Sequence, residues 1–175
     1  MRVHVAKGLA IGVIVFATAV ALGAQRQRAS PHEKTEATIG AAKISIDYGR
    51  PYVKGRKIFG ELVPYGKVWR TGADEATTIV TDKAIMFGKV HMNPGTYTLY
   101  TIPGEAEWTL IVNKQTGQWG TQYDEKQDLG RVTAKPEKLP APVEQLTLKL
   151  TPGGKGGTLV IEWADTRVSF PFMVH

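Results

Sequence analysis

Short runs of β-branched and aromatic residues fill this chain from residue 37 onward, with turn residues about every 8–12 positions. In residues 43–48, apolar and polar side chains alternate, which places Ile44 and Ile46 on one face of a strand. Turn signals such as the Pro-Gly pair at 94–95 separate the runs. No segment has the period of a long amphipathic helix. The pattern therefore predicts an all-β fold: a single antiparallel β-sandwich, jelly-roll-like or a partly open barrel, of about nine or ten short strands.

Three features predict where the last strands begin and end. Ala164, Asp165 and Thr166 separate the final two runs and predict a hairpin turn. Pro171 interrupts the final run, and proline cannot donate to a strand ladder, so this run is predicted to be an edge strand. The proline-rich stretch 135–142 is predicted to be a connection between strands.

The first residues have the features of an export signal. Arg2 and Lys7 give a positive start, and residues 8–23 are uncharged and end in small side chains that suit cleavage. We therefore predict a signal peptide at 1–24, an extended leader at 25–35 and one β-sandwich domain at 36–175. The apolar run is close to the ~20 residues of a membrane span, so an uncleaved anchor is the alternative. The expected location is exported, periplasmic or extracellular, with membrane contact only through this segment.

Charge and cysteine content limit the possible chemistry and partners. The chain has no cysteine, which excludes disulfides, thiol catalysis and cysteine-based metal sites. Without Arg2 and Lys7, the 22 basic residues fall to 20 against 16 acids. This mild excess of positive charge favours an anionic partner, or it serves only to keep the protein soluble. The bases are scattered and follow no known nucleic-acid-binding pattern, so no nucleic acid partner is predicted.

Residues 48–72 have no strand or helix period, and we call them the basic-aromatic loop. They contain six of the 22 lysines and arginines and five aromatic residues, against a single acid, Glu61. Connections this long are usually functional or disordered, and the aromatic content argues against disorder. The loop is therefore predicted to be ordered and to carry the function.

Two roles are open to this loop. Its arginines and lysines suit a carboxylate, phosphate or sulfate, and its aromatic rings suit stacking on a sugar. Alternatively, its apolar residues plug one end of the sandwich and its arginines bond backbone carbonyls. The plug would consist of Tyr48, Ile58, Phe59, Leu62, Val63 and Trp69. The predicted ligand-binding residues are Arg50, Lys54, Arg56, Tyr65, Trp69, Arg70 and Trp119. Trp108 and Trp163, inside predicted strands, are expected in the core.

Glu75 is the one candidate catalytic residue. It could act as a general acid or base beside Arg70 or Arg50, or it could form a structural ion pair with one of these arginines. The histidines lack metal-ligand spacing. His91 beside Met92 suggests soft-metal binding, but a solvent-facing strand histidine explains it better. No metal and no cofactor is predicted.

Several long runs resemble a secreted bacterial family known as domain of unknown function 2911. They are Tyr-x-Arg-Pro at 48–51, Val-Lys-Gly-Arg-x-Ile-Phe-Gly at 53–60, the run 62–72, Glu-Ala-Thr at 75–77 and Gln-Trp-Gly at 118–120. The resemblance covers about residues 29–174. It implies a single exported β-domain and gives no residue a catalytic role.

Three functions follow from these observations. The favoured hypothesis is a binding module, not an enzyme, for a small anionic or carbohydrate-like ligand held by the basic-aromatic loop. The second is a hydrolase or lyase of an envelope polymer, with Glu75 as acid or base. The third is a structural protein that presents the loop to another envelope protein.

Overall fold

The computed structural model describes residues 30–175. The predicted signal segment and the first half of the predicted leader lie outside these residues. The described residues form strands and a single 3-10 turn, Glu125–Gln127. The strands are β1 His32–Ile39, β2 Ala42–Gly49, β3 Thr78–Thr81, β4 Ile85–Phe87, β5 Val90–Met92, β6 Gly95–Ile102, β7 Trp108–Asn113, β8 Asp128–Ala134, β9 Pro136–Gly153 and β10 Gly156–Val174. Among residues 30–175, no helix has the length and hydropathy needed to cross a bilayer.

The strands build two antiparallel sheets that face each other. The larger sheet has the order β1-β2-β3-β6-β7-β8, and the smaller sheet has the order β5-β4-β10-β9. The predicted all-β sandwich is confirmed, and the sheets do not close into a barrel. Alternation in β2 is also confirmed, since Ile44, Ile46 and Tyr48 are all buried. The Tyr48 hydroxyl accepts a hydrogen bond from the backbone N–H of Leu148 at 3.0 Å, which ties β2 to β9.

The predicted final hairpin is wrong. Residues 164–166 lie inside β10, which runs unbroken from Gly156 to Val174. The pairing of β10 with β9 shifts register on both sides of Ala164, whose φ is 51°. At both shifts the extra residues lie on β9, where 144–146 face Trp163 and 139–142 face Asp165, so β9 bulges while β10 continues through the turn-forming residues.

The proline predictions are corrected by the pairing of β9 and β10. Pro171 is not on an edge strand, because β10 lies between β4 and β9. It falls between the pairing with β9, which ends at Val168, and the pairing with β4, which begins at Phe172. The proline-rich stretch 135–142 lies almost wholly within β9 and makes no separate connection. β9 is itself an edge strand, where missing N–H donors are tolerated.

The basic-aromatic loop is ordered and closes one end of the sandwich. Isolated backbone bridges fasten it to both sheets, from Tyr52 to Gln145 of β9 and from Trp69 to Thr101 of β6. Ile58, Phe59 and Val63 are buried in the core, as the plug hypothesis predicts. Leu62 is the exception, with 47% of its surface exposed.

Four aromatic rings meet where the loop enters the space between the sheets. The Phe59 ring lies 4.9 Å from the ring of Trp108, which belongs to the larger sheet. The Trp69 ring stacks on Trp163 of the smaller sheet at 5.8 Å and 15°. Trp108 and Trp163 are each 1% exposed, so their predicted core positions are confirmed. These ring contacts fix the position of the loop against the core.

Candidate functional site

The end of the connection between β2 and β3 is a tightly built corner, residues 69–77. Thr71 and Asp74 have φ angles of 55° and 64°, a region that side-chain-bearing residues seldom adopt. The Thr71 hydroxyl lies 3.0 Å from that of Thr101, and the Thr77 hydroxyl donates to the Thr71 carbonyl at 3.1 Å. Trp69 Nε1 donates to the Gly72 carbonyl at 3.2 Å. Strained backbone held this firmly is typical of functional sites.

This corner places Arg70 beside the segment that carries Trp119. Glu75 forms a backbone bridge to Trp119, and the N–H of Gly120 donates to the Asp74 carbonyl at 3.0 Å. The side chain of Arg70 lies on the backbone of Gly120. A Cβ atom at Gly120 would stand 2.1 Å from Cδ of Arg70. Only glycine at position 120 therefore leaves room for Arg70 in its observed conformation.

A cavity of about 500 Å³ lies between the basic-aromatic loop and the corner. Four of the predicted ligand-binding residues line it: Lys54, Arg56, Trp69 and Arg70. Tyr52, Asp74 and the core residue Trp163 also contribute to its walls. The structure thus brings three of the predicted cations and the predicted aromatic residue Trp69 to one cavity.

The arginines of the loop differ in whether their side chains already make hydrogen bonds within the protein. Arg56 is committed to the loop backbone: its Nε donates to the Val53 carbonyl at 3.0 Å, and Nη2 donates to the Tyr52 carbonyl. Nε of Arg70 is buried and has no hydrogen-bond partner among residues 30–175. Nε1 of the Trp163 indole is likewise buried and has no hydrogen-bond partner among residues 30–175. Both atoms are buried out of reach of the cavity, so a ligand there can be contacted only by the partly exposed remainder of the Arg70 side chain.

Three predicted ligand-binding residues lie away from this cavity. Arg50 donates to the Leu146 carbonyl at 2.8 Å and to the Thr147 hydroxyl at 2.9 Å, and it pairs with Glu33. Tyr65 lines a separate depression of about 280 Å³. Trp119 is 47% exposed and is absent from the cavity wall. Arg50 thus has the carbonyl-bonding role of the alternative hypothesis.

Glu75 lies at a neighbouring depression of about 290 Å³ with His32 and Asp47. Its Oε2 is 2.8 Å from Nε2 of His32, and Nδ1 of His32 is 3.2 Å from Oδ1 of Asp47. The ligand atoms of His32, Asp74 and Glu75 lie within 4.8 Å of one another, so this group could hold a metal ion. His32 was not predicted as a site residue, because no sequence spacing connects it with residue 75.

Tyr48, the first residue of the basic-aromatic loop, has a structural role. Burial raises the pKa of Tyr48 above its ordinary value, although the hydrogen bond with Leu148 and the charge of Arg50 act in the opposite direction. Its phenol therefore stays neutral and joins the two sheets beneath the site.

The chain matches a known family model over most of its length. A family model described as Protein of unknown function (DUF2911) matches residues 30–172. The chain belongs to this family. The match includes both sheets, the basic-aromatic loop and the cavity. No match was found among curated proteins or among solved structures. Membership in DUF2911 confirms the resemblance seen in the sequence.

Proposed function

We propose that this DUF2911 chain is an exported binding module that holds a small anionic or carbohydrate-like ligand in the cavity beneath the basic-aromatic loop. The observation that carries the proposal is the position of Arg70, whose partly exposed side chain lines the cavity together with Lys54 and Arg56. A bound anion supplies a counter-charge and hydrogen-bond acceptors for the accessible part of this guanidinium.

The charge of the cavity supports an anionic ligand. Lys54, Arg56 and Arg70 line it against one carboxylate, Asp74. A hollow with walls of one dominant sign concentrates oppositely charged solutes. Arginine also binds carboxylates and phosphates through paired hydrogen bonds.

The remaining walls suit a sugar ring. Trp69 and Tyr52 offer flat apolar surfaces, and Asp74 can accept hydrogen bonds from hydroxyl groups. A volume of about 500 Å³ falls within the range of small-ligand sites. An anionic carbohydrate, such as a uronic acid or a sugar phosphate, satisfies both the cations and Asp74.

Thermal unfolding in the presence of ligand panels tests the proposal. The panels are neutral sugars, uronic acids, sugar phosphates and inorganic anions. A ligand at 100 times its Kd adds about 2.7 kcal/mol to the free energy of unfolding. We expect stabilisation by uronic acids or sugar phosphates, with a smaller effect of the matching neutral sugars.

Two variants of the loop make the test specific. Arg70→Gln removes a cation from the cavity, and Lys67→Gln makes the same charge change at an exposed loop position outside it. Arg70→Gln should lose the stabilisation by ligand, whereas Lys67→Gln should keep it. Failure of every panel to stabilise the folded wild-type chain would refute the proposal.

The other two hypotheses have less support. An enzyme with Glu75 as acid or base and Arg70 as its electrostatic partner needs both residues at one substrate, yet they line different depressions. A loop that docks a protein needs a broad apolar patch, and the largest exposed fractions among the loop's apolar side chains are only 47% for Leu62 and 39% for Tyr65 and Val68.

A further inference from the structure

The outer face of the smaller sheet carries a row of sulfur and imidazole side chains. In the register of β4 with β5 and β10, Met86 lies directly opposite His91 on one side and Met173 on the other. His91 and Met173 are exposed and Met86 is half-buried, so all three point away from the core. Directly opposite residues on one face of an antiparallel sheet have Cβ atoms about 4.5–5.5 Å apart.

His175 completes this group from the end of β10. Its backbone N–H donates to the Ala84 carbonyl at 2.9 Å, which places it on the same face as Met173, two residues earlier. Ala84 is small, and the ring of His175 reaches across it towards β5. The ring centroids of His91 and His175 are 6.0 Å apart, with an angle of 49° between the planes.

The spacing of the two imidazoles suits coordination of one ion. With metal–nitrogen bonds of about 2.0–2.1 Å, two imidazoles on one metal have ring centroids roughly 5–6 Å apart. The observed 6.0 Å lies at the upper end of this range, so small side-chain rotations are enough. Met86 lies on β4, which stands between β5, the strand of His91, and β10, the strand that His175 directly follows.

We propose that Met86, His91, Met173 and His175 form a binding site for a soft monovalent metal ion, Cu(I). Thioether sulfur is a soft ligand that selects Cu(I) over harder divalent ions, and imidazole also binds copper. The sequence pair His91-Met92 does not make this site, because Met92 is completely buried on the opposite face of β5. The site is independent of the cavity beneath the basic-aromatic loop.

NMR of methionine methyl groups in the full chain tests the site directly. The chain is labelled with ¹³C at the methionine methyls and titrated with Ag(I), a redox-inert substitute for Cu(I). We expect the Met86 and Met173 signals to shift and to saturate at one equivalent of Ag(I). The Met92 signal is the internal reference and should stay in place. Absence of these two shifts at one equivalent would overturn the proposal.

Affinity measurements on variants separate this site from adventitious binding. The affinity for Cu(I) is measured under anaerobic, reducing conditions by competition with a chromophoric chelator. The double variant Met86→Leu/Met173→Leu conserves side-chain volume and should lower the affinity at least about tenfold, since even outer-shell changes cost that much. His91→Gln should lower it similarly, and the control Met92→Leu should leave it unchanged. An affinity that survives both the double variant and His91→Gln would refute the assignment.

Discussion

Arg70 lies so close to Gly120 that a methyl group on Gly120 would stand 2.1 Å from Cδ and 2.9 Å from Cβ of Arg70. The two residues come from different segments, which are joined by the hydrogen bond from Gly120 N–H to the Asp74 carbonyl. The position of the cavity arginine therefore depends on a glycine 50 positions later in the chain. Changes at Gly120 should act on ligand binding through Arg70.

Gly120→Ala should weaken ligand binding without removing any charged group. The added methyl forces Arg70 and the Asp74 carbonyl to move, and overpacking of this kind costs about 1–3 kcal/mol of stability. We expect a lower free energy of unfolding in denaturant titrations and a clear loss of stabilisation by ligand. Gly153→Ala is the matched control, because nothing lies within 4 Å of its added Cβ. An alanine at 120 that leaves ligand affinity unchanged would show that Arg70 does not take part in binding.

Arg50→Gln should affect stability but not ligand binding. Arg50 bonds the Leu146 carbonyl and the Thr147 hydroxyl and thereby ties the start of the loop to β9. Losing these bonds from a charged donor should lower the free energy of unfolding by about 1–3 kcal/mol. Chemical denaturation measures this loss, and thermal shifts with ligand should be as large as in the wild type. A variant of Arg50 with normal stability and no ligand response would reverse the assigned roles of Arg50 and Arg70.

Glu162 should make the fold sensitive to acid. Burial alone would raise its pKa, but hydrogen bonds from Lys149 and Arg167, at 2.6 Å each, outweigh burial and lower the pKa. A folded pKa below the unfolded value of about 4.3 means that the stabilisation is complete above that pH and is lost as pH falls through the folded pKa.

Glu162→Gln tests this dependence. At pH 7 the variant should be less stable by about 1–3 kcal/mol, because two cations lose their charged acceptor. Denaturation curves recorded between pH 7 and pH 3 should show the two proteins converging, since protonated Glu162 resembles glutamine. A stability difference that stays constant over this range would mean that the charge of Glu162 contributes nothing.

Gly156→Ala should be strongly destabilising. β10 bends so far that Gly156, at its start, packs against its own end, where an added Cβ would stand 2.0 Å from the Phe172 carbonyl oxygen. Backbone cannot yield as a flexible side chain does, so we expect a loss of at least about 2 kcal/mol in the free energy of unfolding. Gly153→Ala again serves as the control. Equal stability of the two variants would contradict the close approach within β10.

The sequence predicts the fold class and the location of the cavity for a common physical reason. Both depend on local patterns. One is the alternation of apolar and polar residues, as in β2, and the other is a long stretch rich in basic and aromatic residues between two strands. Lys54, Arg56, Trp69 and Arg70 reach one cavity because they lie close together in a loop that the core holds in place.

The remaining features depend on contacts between distant segments. Arg50 belongs to the same loop, but its acceptors lie on β9, nearly 100 positions later. His32 meets Glu75, and Met86 meets Met173, only through tertiary contact and strand pairing. The residues at 164–166 have turn chemistry, yet they continue β10 opposite a bulge in β9. A single sequence carries no local signal for such pairings.

The most direct test of the cavity is the NMR signal of the Arg70 Nε–H during titration with a uronic acid or a sugar phosphate. Arg70 lines the cavity, so a carboxylate or phosphate bound to its guanidinium should shift this resonance strongly. The exposed indole N–H of Trp119, outside the cavity wall, should move little in the same spectra. Saturable shifts at Arg70 with Trp119 unchanged are the predicted result. Shifts confined to exposed side chains, with the Arg70 signal fixed, would contradict ligand binding in this cavity.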